Sequence, residues 1–193
     1  MLRSISRRHF GLAAAGATLL GALGAGQGHA TQGGVAPAEA GRPKGLDRLA
    51  PGAGPLPELA FTDAEGAPRS LADFRGRPLL VNLWATWCPP CVAEMPALDR
   101  LQAALGSEGL VVLALSSDRG GKAQVAPFYA RTGVNALGIW LDPRGAASRA
   151  VGARGLPTTL LVDRAGREVG RLEGEAAWDH PDWVARLRQL LLA

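Results

Sequence analysis

Only two of the 193 residues are cysteine, Cys88 and Cys91, and only three are histidine. His9 and His29 fall in the N-terminal stretch, which leaves His180 and the two cysteines as the His and Cys ligands available to a metal in the body of the chain. Basic surface is scarce too. Lys and Arg number 21 against 17 Asp and Glu, but Arg3, Arg7 and Arg8 stand in residues 1–30 without any acid, so the remainder carries only +1. Phosphate recognition needs a concentrated basic face, so nucleic acid is excluded as the main partner. The sequence also lacks a Gly-rich phosphate loop, a catalytic carboxylate pair and a Ser/His/Asp arrangement. Its longest uncharged stretch near the start, Phe10 to Gly26, is 17 residues with five glycines, near the lower limit for a membrane-spanning helix.

That stretch has another use. A head carrying three arginines, a weakly apolar middle and the small residues around Gly28-His29-Ala30 form an export signal over residues 1–30. Ser6-Arg7-Arg8-His9-Phe10 resembles the twin-arginine pattern; a general secretory signal that contains two arginines is the alternative. Either route implies a periplasmic protein, tethered to the membrane if the signal is retained, in a compartment where disulfides persist. Residues 31–57 are mostly Gly, Pro and Ala without large apolar runs, which predicts a flexible tether with room for one helical turn over Gly45 to Ala50. One domain is then expected over residues 58–193, of a size that suffices for one core.

Within it, Leu59 and Phe61 alternate with polar residues ahead of a turn at Asp63 to Pro68, which predicts a hairpin or edge pair. Leu79 to Ala85 is apolar except for Asn82, as in a central strand covered on both faces. Pro89 and Pro90 fit only the first turn of a helix, and Val92, Met95, Leu98, Leu101 and Leu105 then recur at spacings of three and four. Pro96 should bend that helix. Further strands are expected at Leu110 to Leu115, Trp140-Leu141, Thr158 to Val162 and Val169 to Leu172. Helices are expected at Lys122 to Thr132, at Arg144 to Val151 and from Asp179-His180-Pro181 onward, with Val184, Leu187, Leu190 and Leu191 on one face. Such alternation defines an α/β fold, a central mixed β-sheet flanked by helices.

Cys88 and Cys91 stand where the central strand hands over to the helix. Free N–H groups and the helix dipole at that point favour a thiolate at Cys88. Cys91, inside the first turn, has the reach to close a disulfide and should be the less exposed. Cys88 is thus the attacking nucleophile on a substrate disulfide and Cys91 the sulfur that resolves the mixed disulfide. A purely structural disulfide over so short a loop would remove little chain entropy. A copper(I) dithiolate using the same sulfurs is a further alternative, since soft thiolates suit that ion. His180, about ninety residues away beside Asp179 and Pro181, looks like part of a helix start, and no resident metal or other cofactor is expected.

Leu80-Val81-Asn82-Leu83-Trp84-Ala85-Thr86-Trp87-Cys88-Pro89-Pro90-Cys91, then Glu94-Met95-Pro96 and Gly155-Leu156-Pro157-Thr158-Thr159, together resemble the TlpA/ResA family of extracytoplasmic thiol–disulfide oxidoreductases. The resemblance runs from about Pro57 to the C-terminus and implies a thioredoxin-like fold. It implies a cis Leu156-Pro157 peptide facing the cysteines, with the Leu156 backbone offered to the substrate. Trp87, Pro89, Pro90, Leu156 and Thr158 would then contact that substrate. It also implies that Glu94 helps deprotonate Cys91, against the alternative of a solvated acid favoured by the helix dipole. Asn82 stands where cytoplasmic thioredoxins commonly have a buried acid, and an amide cannot take protons. Trp84 is expected to pack; Trp178 and Trp183 receive no role. The implied activity is reduction of protein disulfides, with apocytochrome c or copper-site proteins as clients. Electrons would come from a membrane thiol-transfer protein of the DsbD or CcdA type, and the working unit would be a monomer. Disulfide formation by an oxidase of the DsbA kind is the rival direction.

Overall fold

Every residue of Leu79–Trp84 is buried, Asn82 included. This strand, β4, is covered along both edges. On one side β5 (Val111–Ser116) runs parallel, with Leu79 opposite Val111 and Trp84 opposite Ser116. On the other β7 (Thr158–Val162) runs antiparallel, with Leu83 opposite Thr158. The structure, a computed structural model, describes residues 41–192; the export signal expected over 1–30 and the tether over 31–40 lie outside them. Among the described residues eight strands, numbered in chain order, form one mixed sheet. Its order is β1 (Ala50–Pro55), β8 (Arg167–Glu173), β7, β4, β5, β6 (Trp140–Leu141), β2 (Ala60–Asp63) and β3 (Pro68–Ser70). Four helices accompany it: α1 (Pro89–Leu105), α2 (Lys122–Thr132), α3 (Ala146–Ala150) and α4 (Pro181–Leu187).

Side chains alternate across a strand, so Leu80, Asn82 and Trp84 share one face of β4 and Leu79, Val81 and Leu83 the other. The first face meets Met95, Leu98 and Leu101 of α1, Phe128 of α2 and the Trp178–Trp183 pair. The second meets Leu59, Phe61, Ala147 and Val151. Helices thus flank a mixed sheet in a thioredoxin-like arrangement, and Asn82 is forced onto the face that carries α1. Within α1, Cys91, Glu94, Met95, Leu98, Leu101 and Leu105 form the buried stripe, and Pro96 lies inside the helix without ending it. The β2–β3 hairpin forms where the alternating pattern predicts one.

Two expectations are corrected. The tether does not reach residue 57: Leu46–Arg48 forms a 3₁₀ turn, and β1 pairs antiparallel with β8. The segment is held by backbone and polar contacts as well as by Leu46 and Leu49, which pack against the core. The Lys44 carbonyl accepts from Trp183 Nε1 (3.0 Å) and from Ala177 N (3.2 Å), while Arg48 donates to the carbonyls of Glu173 and Glu175. A side chain at Gly52 would collide with the Glu168 carbonyl oxygen, so that strand contact requires glycine. Ala-Pro-Gly-Ala-Gly-Pro has no alternation to announce such a strand. Further on, the final helix stops at Leu187, and a π-helical turn over Arg188–Leu192 completes the chain's described part.

Candidate active site

The chain leaves β4 at Trp84, whose carbonyl accepts from Ser117 N (2.9 Å), and turns at once, with Cys88 N donating to Ala85 O. Asp118, fully buried, clamps this turn: one carboxylate oxygen accepts from Thr86 Oγ1 (2.7 Å), the other from Thr86 N (2.9 Å) and Ser116 Oγ (2.8 Å). Cys88 is thereby held as the N-cap of α1, with Pro89 and Pro90 in the first turn where their missing N–H groups cost nothing. Cys91 N donates to Cys88 Sγ at 3.4 Å, so the helix N-terminus points a donor at the sulfur.

Cys88 and Cys91 are joined as a disulfide with Cα atoms 5.3 Å apart. Cys91 is 0% exposed and Cys88 5%, so the first sulfur is not the openly accessible one expected; the asymmetry between the two is what survives. Beside them Trp87 is 66% exposed. Trp87 and Leu156 line one groove of about 270 Å³, together with Arg149, Ala153 and Arg154. Leu156-Pro157 is cis, and one step beyond the Leu83–Thr158 pair the sheet register carries Pro157 toward the end of β4 from which the cysteine turn departs. Thr158 does not meet the expectation of a substrate contact. It is buried, and its hydroxyl donates to Gly155 O at 2.7 Å within its own loop. Pro89 is exposed and Pro90 half-buried at the helix start.

Glu94 lies one turn after Cys91 on the buried face of α1, which excludes the solvated-acid alternative. Oε1 accepts from Asn82 Nδ2 (2.8 Å), and Oε2 accepts from Trp178 Nε1 (2.9 Å) and Ala176 N (3.0 Å). Asn82 Nδ2 also donates to Thr159 Oγ1 at 3.0 Å. Burial drives the Glu94 pKa up from an ordinary 4.5 to about 7, against the three hydrogen bonds, which favour the ionised form. The carboxyl is therefore poised to gain or lose a proton near neutrality. His180 caps α4, its Nδ1 accepting from Asp182 N at 3.2 Å. Among the described residues no group of three His, Cys, Asp or Glu is placed to hold a metal ion.

Asp118, Thr159 and Trp178 escaped the sequence reading. Asp118 could have been suspected from its place in the loop at the carboxyl end of a buried strand; Trp178 carries no local signal at all.

A cysteine pair at the strand-to-helix junction of this fold, with a cis-proline ahead of the neighbouring strand β7, defines a thioredoxin-fold thiol–disulfide oxidoreductase. The chain belongs to the Redoxin family, whose profile matches residues 52–187. It is 32% identical over 119 residues to the thiol-disulfide oxidoreductase ResA of Bacillus thuringiensis subsp. konkukian, spanning 62% of this chain and 68% of that one. It is 34% identical over 111 residues to ResA of Geobacillus thermodenitrificans, spanning 58% and 63%. Among solved structures, a Chlorobium tepidum chain described as a thiol:disulfide interchange protein DsbE superimposes with a TM-score of 0.60 at 27% identity, covering 74% of this chain and 95% of that one. A secreted thiol-disulfide isomerase from Corynebacterium glutamicum shares the fold at 23% identity with a TM-score of 0.57, covering 69% and 85%.

Proposed function

We propose that this protein is an exported reductase of protein disulfides, working in the periplasm through the Cys88–Cys91 dithiol. The observation that carries the reading is the pairing of a helix-capping Cys88 with a wholly buried Cys91 one turn ahead of a carboxyl of pKa about 7. In the reduced protein the Cys88 thiolate attacks one sulfur of a substrate disulfide, forming a mixed disulfide and releasing the other sulfur as a thiolate. Glu94 takes the proton of Cys91. The resulting thiolate attacks Cys88 Sγ, which frees the second substrate thiolate and leaves the Cys88–Cys91 disulfide. Two electrons from an external dithiol, such as a membrane thiol-transfer protein of the DsbD or CcdA type, restore the starting state.

In this reading Trp87, Leu156 and Pro157 meet the substrate chain, with Pro89 and Pro90 at the helix start. Apocytochrome c and copper-site proteins are the client classes that fit. The relatives named ResA and DsbE support thiol–disulfide exchange, and the reductive direction is part of the proposal. Equilibration with glutathione buffers tests the direction: a potential well below that of the glutathione couple is expected, and one well above it would make the protein an oxidant. A Cys91→Ser variant should accumulate mixed disulfides with its clients. Stoichiometric copper(I) binding that a Cys88→Ser change abolishes, with no disulfide reduction by the unsubstituted chain, would replace this reading with metal handling.

A further inference from the structure

Arg149 stands on the rim of the groove that runs from Trp87 to Leu156, and no carboxylate among the described residues pairs with it. Its Nη1 donates instead to the backbone carbonyl of Arg144, which brings a second guanidinium-bearing residue to the same loop. The acids nearby are already engaged. Glu173 holds Arg154, the other arginine of the rim, through contacts of 2.6 to 3.0 Å. Glu168 holds Arg171, and Asp142 is buried, accepting from Ala146 N and Ala147 N. Asp118 is spent on the Thr86 turn. Among the described residues the groove therefore presents an apolar wall with exposed Arg149 on its rim, while Asp118 and Asp142, which have only neutral donors as partners, lie buried behind it.

The same wall offers backbone. Among the described residues no intrachain hydrogen bond uses the N–H or carbonyl of Leu156, which lies just ahead of β7. Space is open where a Gly155 side chain would project. An extended polypeptide pairing with Leu156 would place residues about 3.3 Å apart along the wall that Leu156 shares with Trp87 and Arg149.

We infer that this groove selects polypeptide substrates with carboxylate side chains within a few residues of the reacting cysteine, and that Arg149 is the specificity residue. The inference rests on the thiol-exchange reading above and adds the chemistry of the client. Attraction across so exposed a rim acts mainly on encounter and falls with salt.

The test uses the reduced full chain and three synthetic peptides that share one intramolecular disulfide and differ only in flanking Glu, Gln or Lys. Stopped-flow rate constants at low ionic strength should fall in the order Glu, Gln, Lys, with the extremes roughly tenfold apart, and converge in about 0.5 M salt. Arg149→Gln should cut the Glu-to-Lys ratio about threefold, and Arg149→Glu should abolish or invert it. Because the ratio is taken within one sample, partial loss of active protein does not affect it. Equal rates on all three peptides, or a ratio untouched by Arg149→Glu, would overturn the inference. Failure of the unsubstituted chain to reduce a small neutral disulfide would instead overturn the exchange reading beneath it.

Discussion

Three donors converge on Glu94, yet the carboxyl keeps its proton to about pH 7, because burial outweighs all of them. Changing Glu94 to Gln preserves the volume and removes the proton site. Release of substrate from the mixed disulfide should slow roughly a hundredfold at pH 7 and lose its inflection near neutrality, while alkylation of Cys88 stays the same. Rapid-quench kinetics from pH 5 to 9 measures both. The shift has a stability consequence as well. Folded Glu94 holds its proton up to about pH 7, and the unfolded chain releases it near 4.5. Stability from this group is therefore full below pH 4.5 and declines as pH rises through 7, by on the order of 3 kcal/mol. Urea midpoints of the oxidised protein across that range should show a decline that Glu94→Gln removes. Trp178→Phe keeps most of the packing against Trp183 but deletes one donor that favours the carboxylate, so the kinetic inflection should move upward in pH. The position of Glu94 three residues after Cys91 was legible in the sequence. Its donors were not, since Ala176 and Trp178 lie more than eighty residues further on.

The turn between β4 and α1 is positioned by a neighbouring element, the loop after β5. Asp118→Ala would strand Thr86 N, Thr86 Oγ1 and Ser116 Oγ, and is expected to cost about 2–4 kcal/mol in denaturant unfolding. Amide exchange over residues 85–88 should accelerate with it. The central strand and α1 could be read from the chain because both announce themselves locally, one by an unbroken apolar run and the other by prolines followed by a stripe. β1 could not, because its ladder uses main-chain groups that every residue possesses. Gly52→Ala places a methyl against the Glu168 carbonyl and should loosen the β1–β8 edge. Faster exchange of β8 amides with disulfide reduction unchanged is the expected outcome, since β1 and β4 are separated in the sheet by β8 and β7.

At the scale of the whole molecule the folded unit includes Leu46–Arg48 and Ala50–Pro55, part of what composition assigned to the tether. A chain starting at residue 41 retains β1 and its contacts. One starting at residue 58 loses β1, the Arg48 contacts, the carbonyl that serves Trp183 and the Lys44–Glu175 ion pair, and should melt at least several degrees lower. Differential scanning calorimetry of the two oxidised proteins separates these outcomes. No helix among the described residues is long and apolar enough to cross a membrane. The amino-acid order alone determined the α/β alternation and the placement of Cys88 and Cys91 at a strand-to-helix junction, because each depends on spacings of a few residues, while a family resemblance singled out Glu94. Tertiary structure alone decided the proton affinity of Glu94, the burial of Cys88, the withdrawal of Thr158 from the surface and the absence, among the described residues, of an ion-pair partner for Arg149. Those properties depend on desolvation and on donors and acids contributed by remote segments, and spacing along a chain carries no record of either.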